Sequence, residues 1–390
     1  MYDIVESEGQ YYLHFTSEEE ARLARDVLGI QKKSGKRAKY EQGRGTVPIK
    51  EQKLDIPTPE EIVAHLNQYV IGQDHAKKTL AVAAYNHFKR MLCKTQGNSE
   101  VEIEKSNVML LGPTGCGKTY LARSLAKCLG VPFAMADATT LTEAGYVGDD
   151  VETILANLLA DAQAKKVSPE WGIVYVDEID KIGLKAENVS LTRDVSGEGV
   201  QQGLLKMIEG SICRVPPQGG RKHPEQQCVE IDTTHILFIF GGAFNGMQTI
   251  LKQRAFGGSL GFTTQEIKSD DVEVTPQDLI KFGMIPEFVG RVPVLVELKD
   301  LSEDDLVRVL TEPKNALVRQ YKELFAIEGG SLEFTPEALR SIAKRAMKSG
   351  TGVRSLRRIM ERLLLDHMYS LPTATNKSVI IGEDSINKAA

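Results

Sequence analysis

No apolar run in this chain reaches the ~18 residues that a membrane span needs. The opening Met1-Tyr-Asp-Ile-Val-Glu-Ser-Glu8 is acidic and lacks the apolar core of a signal peptide. Cysteine is scarce: five residues (93, 116, 128, 213 and 228), with no C-x-x-C pair among them. That excludes a sequence-visible zinc ribbon and argues against a disulfide framework. A basic excess is missing as well. The formal net charge of −5 argues against a chain that coats nucleic acid without specificity. Internal repeats and low-complexity tracts are absent. The expectation is a cytoplasmic protein with neither a membrane nor a nucleic acid as partner. What is present is an ordinary globular balance, 42% apolar and 26% charged residues, over 390 residues. That length suggests roughly two or three domains.

The most specific local signal is Gly112-Pro113-Thr114-Gly115-Cys116-Gly117-Lys118-Thr119, which fits G-x-x-x-x-G-K-[ST]. Val108-Met-Leu-Leu111 before it reads as a buried strand, and Tyr120 to Leu129 after it repeats apolar residues at helical spacing. In that context backbone N–H groups at a helix N-terminus surround phosphate oxygens. Lys118 is expected to reach the β- and γ-phosphates of ATP or GTP, and the Thr119 hydroxyl to ligate Mg²⁺. About 60 residues on, Gly172-Ile-Val-Tyr-Val-Asp-Glu178 is an apolar strand ending in two carboxylates. Strand ends line the ligand crevice of a doubly wound sheet. Asp177 is therefore expected to face the Mg²⁺, and Glu178 to polarise the attacking water. The two motifs together specify hydrolysis rather than binding alone.

Strands expected at 108–111, 132–135, 172–176 and 235–240 alternate with helices around 74–92, 118–129, 150–165 and 199–209. This alternation implies an α/β fold with a parallel sheet covered by helices. After Pro293 the chain reads as a smaller, mostly helical domain. Its helices are expected at Ser302–Phe325, Pro336–Lys348 and Val353–Tyr369, with a strand at Ser378–Gly382. Upstream, residues 1–30 read as a small module with a strand at Tyr11–Phe15 and a helix from Ser17 to about Leu28. Residues 31–54 read as a basic tether, whose stretch from Gln31 to Gly45 carries Lys32, Lys33, Lys36, Arg37, Lys39 and Arg44 against Glu41. The organisation expected is thus 1–30, 31–54, a large domain over 55–300 and a small domain over 301–390.

Further segments stand in a telling order: Leu66-Asn-Gln-Tyr-Val-Ile-Gly-Gln73, Gly145-Tyr-Val-Gly148, Arg193-Asp-Val-Ser-Gly-Glu-Gly-Val-Gln-Gln202, Gly219-Gly-Arg-Lys-His-Pro224, Ile285-Pro-Glu-Phe-Val-Gly-Arg291 and Thr351-Gly-Val-Arg-Ser-Leu-Arg357. Together they resemble the ClpX family, ring-forming AAA+ unfoldases that feed the ClpP peptidase, over roughly residues 55 to 385. The resemblance implies an AAA+ P-loop ATPase acting as a homohexamer on unfolded or tagged protein substrates, with ATP and Mg²⁺ as cofactors. It implies that Tyr146 and Val147 grip substrate on a pore loop, where an aromatic ring holds polypeptide without reading sequence. Arg193 falls in a second pore loop, and Arg221, Lys222 and His223 in a basic loop at the pore mouth. Arg291 becomes an arginine finger for a neighbouring subunit's nucleotide, and Arg354 a sensor reaching from the small domain. Val70 and Ile71 join the P-loop and Tyr120 around the nucleotide. Leu260-Gly261-Phe262 matches the peptidase-docking tripeptide.

Two departures accompany the resemblance. The family's four-cysteine zinc module has no counterpart before Cys93, so no zinc site is expected. The strand 236–240 ends in Gly241-Gly242-Ala243, where many AAA+ proteins place a polar sensor, so no such residue is assigned. Cys116 reads as a space-filler rather than a redox switch. The alternative reading is a protein-remodelling chaperone that uses the same ATPase without a protease partner.

Overall fold

The structure is a computed structural model, and it describes residues 2–7, 10–15, 56–96, 101, 103–142, 149–183, 197–216, 228–256, 273–374 and 376–388. The chain divides after Asp55 into two compact units. In the first, β1 (Tyr2–Ser7) and β2 (Gln10–Phe15) form an antiparallel hairpin with Tyr2 opposite Phe15. The strand expected at Tyr11–Phe15 is therefore present with a partner that the sequence reading did not supply. The helix expected from Ser17 lies outside the described residues.

The second unit opens with α1 (Pro59–Asn67) and α2 (Asp74–Gln96). It continues through β3 (Val108–Leu111), α3 (Lys118–Leu129), β4 (Phe133–Asp137), the short pair β5 (Leu141–Thr142) and β6 (Asp149–Asp150), α4 (Thr153–Lys165) and β7 (Ile173–Asp177). Then follow α5 (Glu198–Glu209), the antiparallel pair β8 (Ile212–Val215) and β9 (Val229–Asp232), β10 (Leu237–Gly242), α6 (Met247–Phe256), α7 (Pro276–Phe282), α8 (Pro286–Gly290) and β11 (Val294–Glu297). The main sheet has the order β11-β3-β10-β7-β4, and every pairing in it is parallel. All four residues of β3 and all six of β10 are buried. These unbroken apolar runs are what a sheet covered on both faces requires. The expected strands lie where the pattern placed them, shifted by up to two residues. The edge strand β11 is an addition.

The last segment comprises α9 (Glu303–Thr311), α10 (Leu317–Ile327), β12 (Ser331–Phe334), α11 (Pro336–Lys348), α12 (Val353–Ser370), β13 (Ser378–Ile381) and α13 (Glu383–Lys388). The single helix expected over 302–325 is two helices. Pro313 has no N–H to continue the first, so α9 stops at Thr311 and α10 starts afresh at Leu317. A separate apolar core, built on Leu310, Phe325, Ile342, Leu356 and Met360, holds these helices together.

At the N-terminal edge of the main sheet, three basic side chains from the α2 side meet the turn that leads into β10. Lys105 Nζ donates to the Thr233 carbonyl (2.9 Å), Arg90 Nη2 to that of Thr234 (3.1 Å) and His87 Nε2 to that of His235 (2.8 Å). Burial, with the Arg90 charge beside it, pushes the Lys105 amine down from 10.5 to about 7; Asp232 opposes the shift. The unfolded chain then binds a proton that the folded one has shed throughout the interval between 7 and 10.5. Stability contributed by this group therefore rises with pH across that interval. Thermal midpoints measured from pH 7.5 to 10 are expected to climb more steeply for the parent than for Lys105→Met. Parallel slopes would refute the assignment.

Candidate nucleotide site

β3, β10 and β7 end side by side, which puts the P-loop, the turn after Gly242 and the Asp177-Glu178 pair at one edge of the sheet. α3 begins directly at Lys118, after Gly117 with φ +102° and without a side-chain cap. Its first N–H groups are thus free of the usual capping partner, and an added Cβ on Gly117 would meet open space. Phosphate oxygens fit there. Lys118 is buried and curls over the loop, donating to the carbonyls of Gly112 (2.6 Å) and Pro113 (2.9 Å). The Thr119 hydroxyl donates to Asp177 Oδ2 at 2.7 Å, and the other carboxylate oxygen accepts the Glu178 N–H at 3.0 Å. Glu178 itself adopts φ +55°, an uncommon backbone for a residue with a Cβ, of the kind that concentrates at working sites.

The hydroxyl of Thr119 and the carboxylate of Asp177 are hard oxygen donors suited to magnesium. Among the described residues no group of three His, Cys, Asp or Glu side chains is arranged to hold a metal. A magnesium ion here would therefore draw its remaining ligands from phosphate oxygens and water.

A cavity of about 690 Å³ opens from this edge and is closed on its far side by the C-terminal helices. It brings together Val70, Ile71, residues Thr114 to Tyr120, Asp177, Glu178 and Arg354. Gly112 and Pro113 contribute through their carbonyls to Lys118 rather than as lining. The two halves of the wall are joined tightly. Tyr120 and Asn315 share hydrogen bonds of 2.7 and 3.0 Å, and the Lys314 N–H donates to the Gln68 carbonyl at 2.9 Å. Burial raises the Cys116 thiol above its ordinary range, which disfavours the reactive thiolate.

Several lining residues escaped sequence reasoning, among them Tyr69, Met135, Asn245, Asn315, Gln320 and Arg357. Asn245 bears on the unassigned sensor. A Cβ at Gly241 would strike the Tyr175 hydroxyl of β7, and one at Gly242 would strike the Phe244 ring. A polar side chain cannot stand at the strand end, and the first one facing the cavity is Asn245, three residues later. Arg291 is not brought to this cavity; its guanidinium pairs with Glu209 at 3.1 Å. Tyr146, Val147, Arg193, Arg221, Lys222, His223, Leu260, Gly261 and Phe262 lie outside the described residues.

A P-loop leading a helix, an acid pair ending a nearby parallel strand and a small helical segment closing over both define an ATPase of the AAA+ class. Comparison agrees: the family described as AAA domain (Cdc48 subfamily) matches residues 103–295, and the C-terminal, D2-small domain of ClpB protein matches 301–379. The "ATP-dependent Clp protease ATP-binding subunit ClpX" of Treponema denticola is 51% identical over 343 residues, covering 86% of this chain and 82% of that protein. The protein of the same name from Borrelia duttonii is 52% identical over 337 residues, covering 85% and 79%. The chain belongs to the ClpX family.

Proposed function

We propose that this chain is the unfolding motor of a two-part protease, working as a homohexamer that draws tagged proteins through a central pore and passes them to a ClpP peptidase in the cytoplasm. The observation that carries this reading is the shared cavity, in which the P-loop, the Asp177-Glu178 pair and Arg354 of the small domain face one space. A nucleotide there would touch both the large domain, taken as 55–300, and the small domain, taken as 301–390. Its hydrolysis would be felt as a change in their relative orientation.

Lys118 would neutralise the β- and γ-phosphates, and Thr119 with Asp177 would hold Mg²⁺, which supplies charge neutralisation on the phosphate oxygens. Glu178 would orient and deprotonate the attacking water. Arg354 would report nucleotide state to α12. Arg291 would act on a neighbour's nucleotide. Its carbonyl accepts from Asn107 at 2.8 Å, just before β3, whereas Gly112 of its own P-loop follows the other end of that strand. Four strand residues rise ~13 Å, which favours a partner site over its own. The roles of Tyr146, Val147 and Arg193 on substrate, of Arg221, Lys222 and His223 on tags, and of Leu260-Gly261-Phe262 on ClpP rest on the sequence resemblance.

The test is loss of fluorescence from a tagged, tightly folded reporter, with and without ClpP, beside a Glu178→Gln control. Unfolding that needs ATP and Glu178, with peptide release only when ClpP is added, is the expected result. Unfolding indifferent to ClpP would instead establish the stand-alone remodelling chaperone.

A further inference from the structure

Three polar side chains outside the nucleotide cavity converge on the seven residues that end in Arg291. Gln201, on α5, is fully buried. Its Oε1 accepts the N–H of Ile285 at 2.8 Å, and its Nε2 donates to the Ile182 carbonyl at 2.9 Å. It thereby fixes the start of α8 to the turn that follows Glu178. Asn107 is 1% exposed; its Nδ2 donates to the Arg291 carbonyl at 2.8 Å, and its Oδ1 accepts the Phe238 N–H at 3.4 Å. The end of the segment is thus tied to the central sheet. Glu209, the last residue of α5, pairs with the guanidinium through one edge, Nη2 to Oε1. The negative end of that helix adds to the attraction.

Buried polar groups demand partners, and Gln201 and Asn107 each find one of theirs at an end of the same short stretch of backbone, Ile285 and Arg291. The Arg291 side chain remains 57% exposed, and Glu209 is the one ion-pair partner it has among the described residues. A guanidinium carries five donors in a planar fork. Engaging one edge fixes its plane and leaves the rest of the fork directed outward.

We infer that Glu209, with Asn107 and Gln201 behind it, is a positioning residue for Arg291, aiming the guanidinium out of its own subunit towards an anionic acceptor on the next copy of this chain. The inference rests on the proposed action of Arg291 on a neighbour's nucleotide. It also assigns α5 a second duty, since one helix then grips both the turn after Glu178 and the residue that completes the adjacent site.

Because Glu209 is 44% exposed, Glu209→Gln keeps the fold, and its thermal midpoint is expected to match the parent. Steady-state ATPase of the full chain is expected to show a turnover lowered roughly tenfold with KM for ATP unchanged, and Glu209→Asp is expected to regain most of the loss. Mixing separates positioning from a general effect. Glu178→Gln subunits, which cannot hydrolyse, are mixed with Arg291→Ala subunits, which lack the guanidinium. Recovered hydrolysis then comes from Arg291 of the former acting on nucleotide of the latter. Adding Glu209→Gln to the Glu178→Gln subunits is expected to remove most of that recovery. Adding it to the Arg291→Ala subunits, which have no guanidinium to orient, is expected to have no further effect. Loss that is equal on either subunit, or a Glu209→Gln enzyme with parental turnover, overturns the positioning role alone. Full activity of Arg291→Ala by itself, or no recovery on mixing, overturns the action in trans and takes the positioning role with it.

Discussion

Glu178→Gln is expected to lower the turnover number for ATP by about 10²- to 10⁴-fold while nucleotide affinity stays near that of the parent. The amide matches the carboxylate in size, so the left-handed backbone at this position and the Asp177 contact to its N–H are preserved. What is removed is the ability to accept a proton from the attacking water. Asp177 is not a substitute, because its carboxylate accepts from the Thr119 hydroxyl and the Glu178 N–H and would be held on Mg²⁺ rather than on the attacking water. Paired measurements decide the matter: steady-state hydrolysis, and equilibrium binding of a fluorescent ATP analogue. A variant hydrolysing within threefold of the parent would remove Glu178 from the chemistry. Loss of binding in parallel with hydrolysis would show that the change had damaged the loop instead.

Gly115→Ala is expected to do damage out of proportion to the one methyl group it adds. Gly115 sits at φ +85°, where any L-residue carries a penalty of ~1–2 kcal/mol. The added Cβ would also strike the backbone carbonyl of Thr351, which no side-chain rotation relieves. Thr351 opens the turn into α12, the helix that carries Arg354. The methyl group therefore acts as a wedge in the wall of the nucleotide cavity. Nucleotide affinity is expected to fall at least tenfold, and protection by ATP against limited proteolysis between α10 and α12 is expected to disappear. Gly117→Ala provides the comparison through thermal midpoints of the nucleotide-free protein, where it shares a left-handed backbone but faces the open space that phosphate would otherwise fill. Equal effects of the two changes would show that backbone conformation, and not the contact with Thr351, is what matters.

The nucleotide-binding half of the site was legible because each piece is local. Eight consecutive residues make the P-loop, and four apolar residues followed by two acids mark the strand that faces it. The buried strands of the main sheet were legible from short apolar runs set between longer helical patterns. The rest of the cavity was hidden because its wall is assembled from positions some 200 residues apart, such as Tyr120 and Asn315, with no local signal that they meet. The break at Pro313 was present in the sequence but was overridden by continuous apolar spacing on either side. Asn107 and Gln201 read as ordinary polar residues. Only burial, with partners in another segment, distinguishes them. The edge strand β11 was missed because only Val296 of its four residues is fully buried and its pairing to β3 is made entirely across sequence distance.

The separation of Arg291 from its own P-loop by the length of β3 has a consequence for symmetry. On the proposed action in trans, each copy presents a donor edge and a different acceptor edge, so contacts run head to tail. Such contacts have no two-fold axis and are satisfied everywhere only when the series closes on itself. Two copies would complete one catalytic centre and strand the other; an open row of any length would always leave one centre at its end without its guanidinium. Closure thus acts as a licence for full turnover. Specific activity should depend on protein concentration with the steepness of ring assembly, even where nucleotide saturates every subunit.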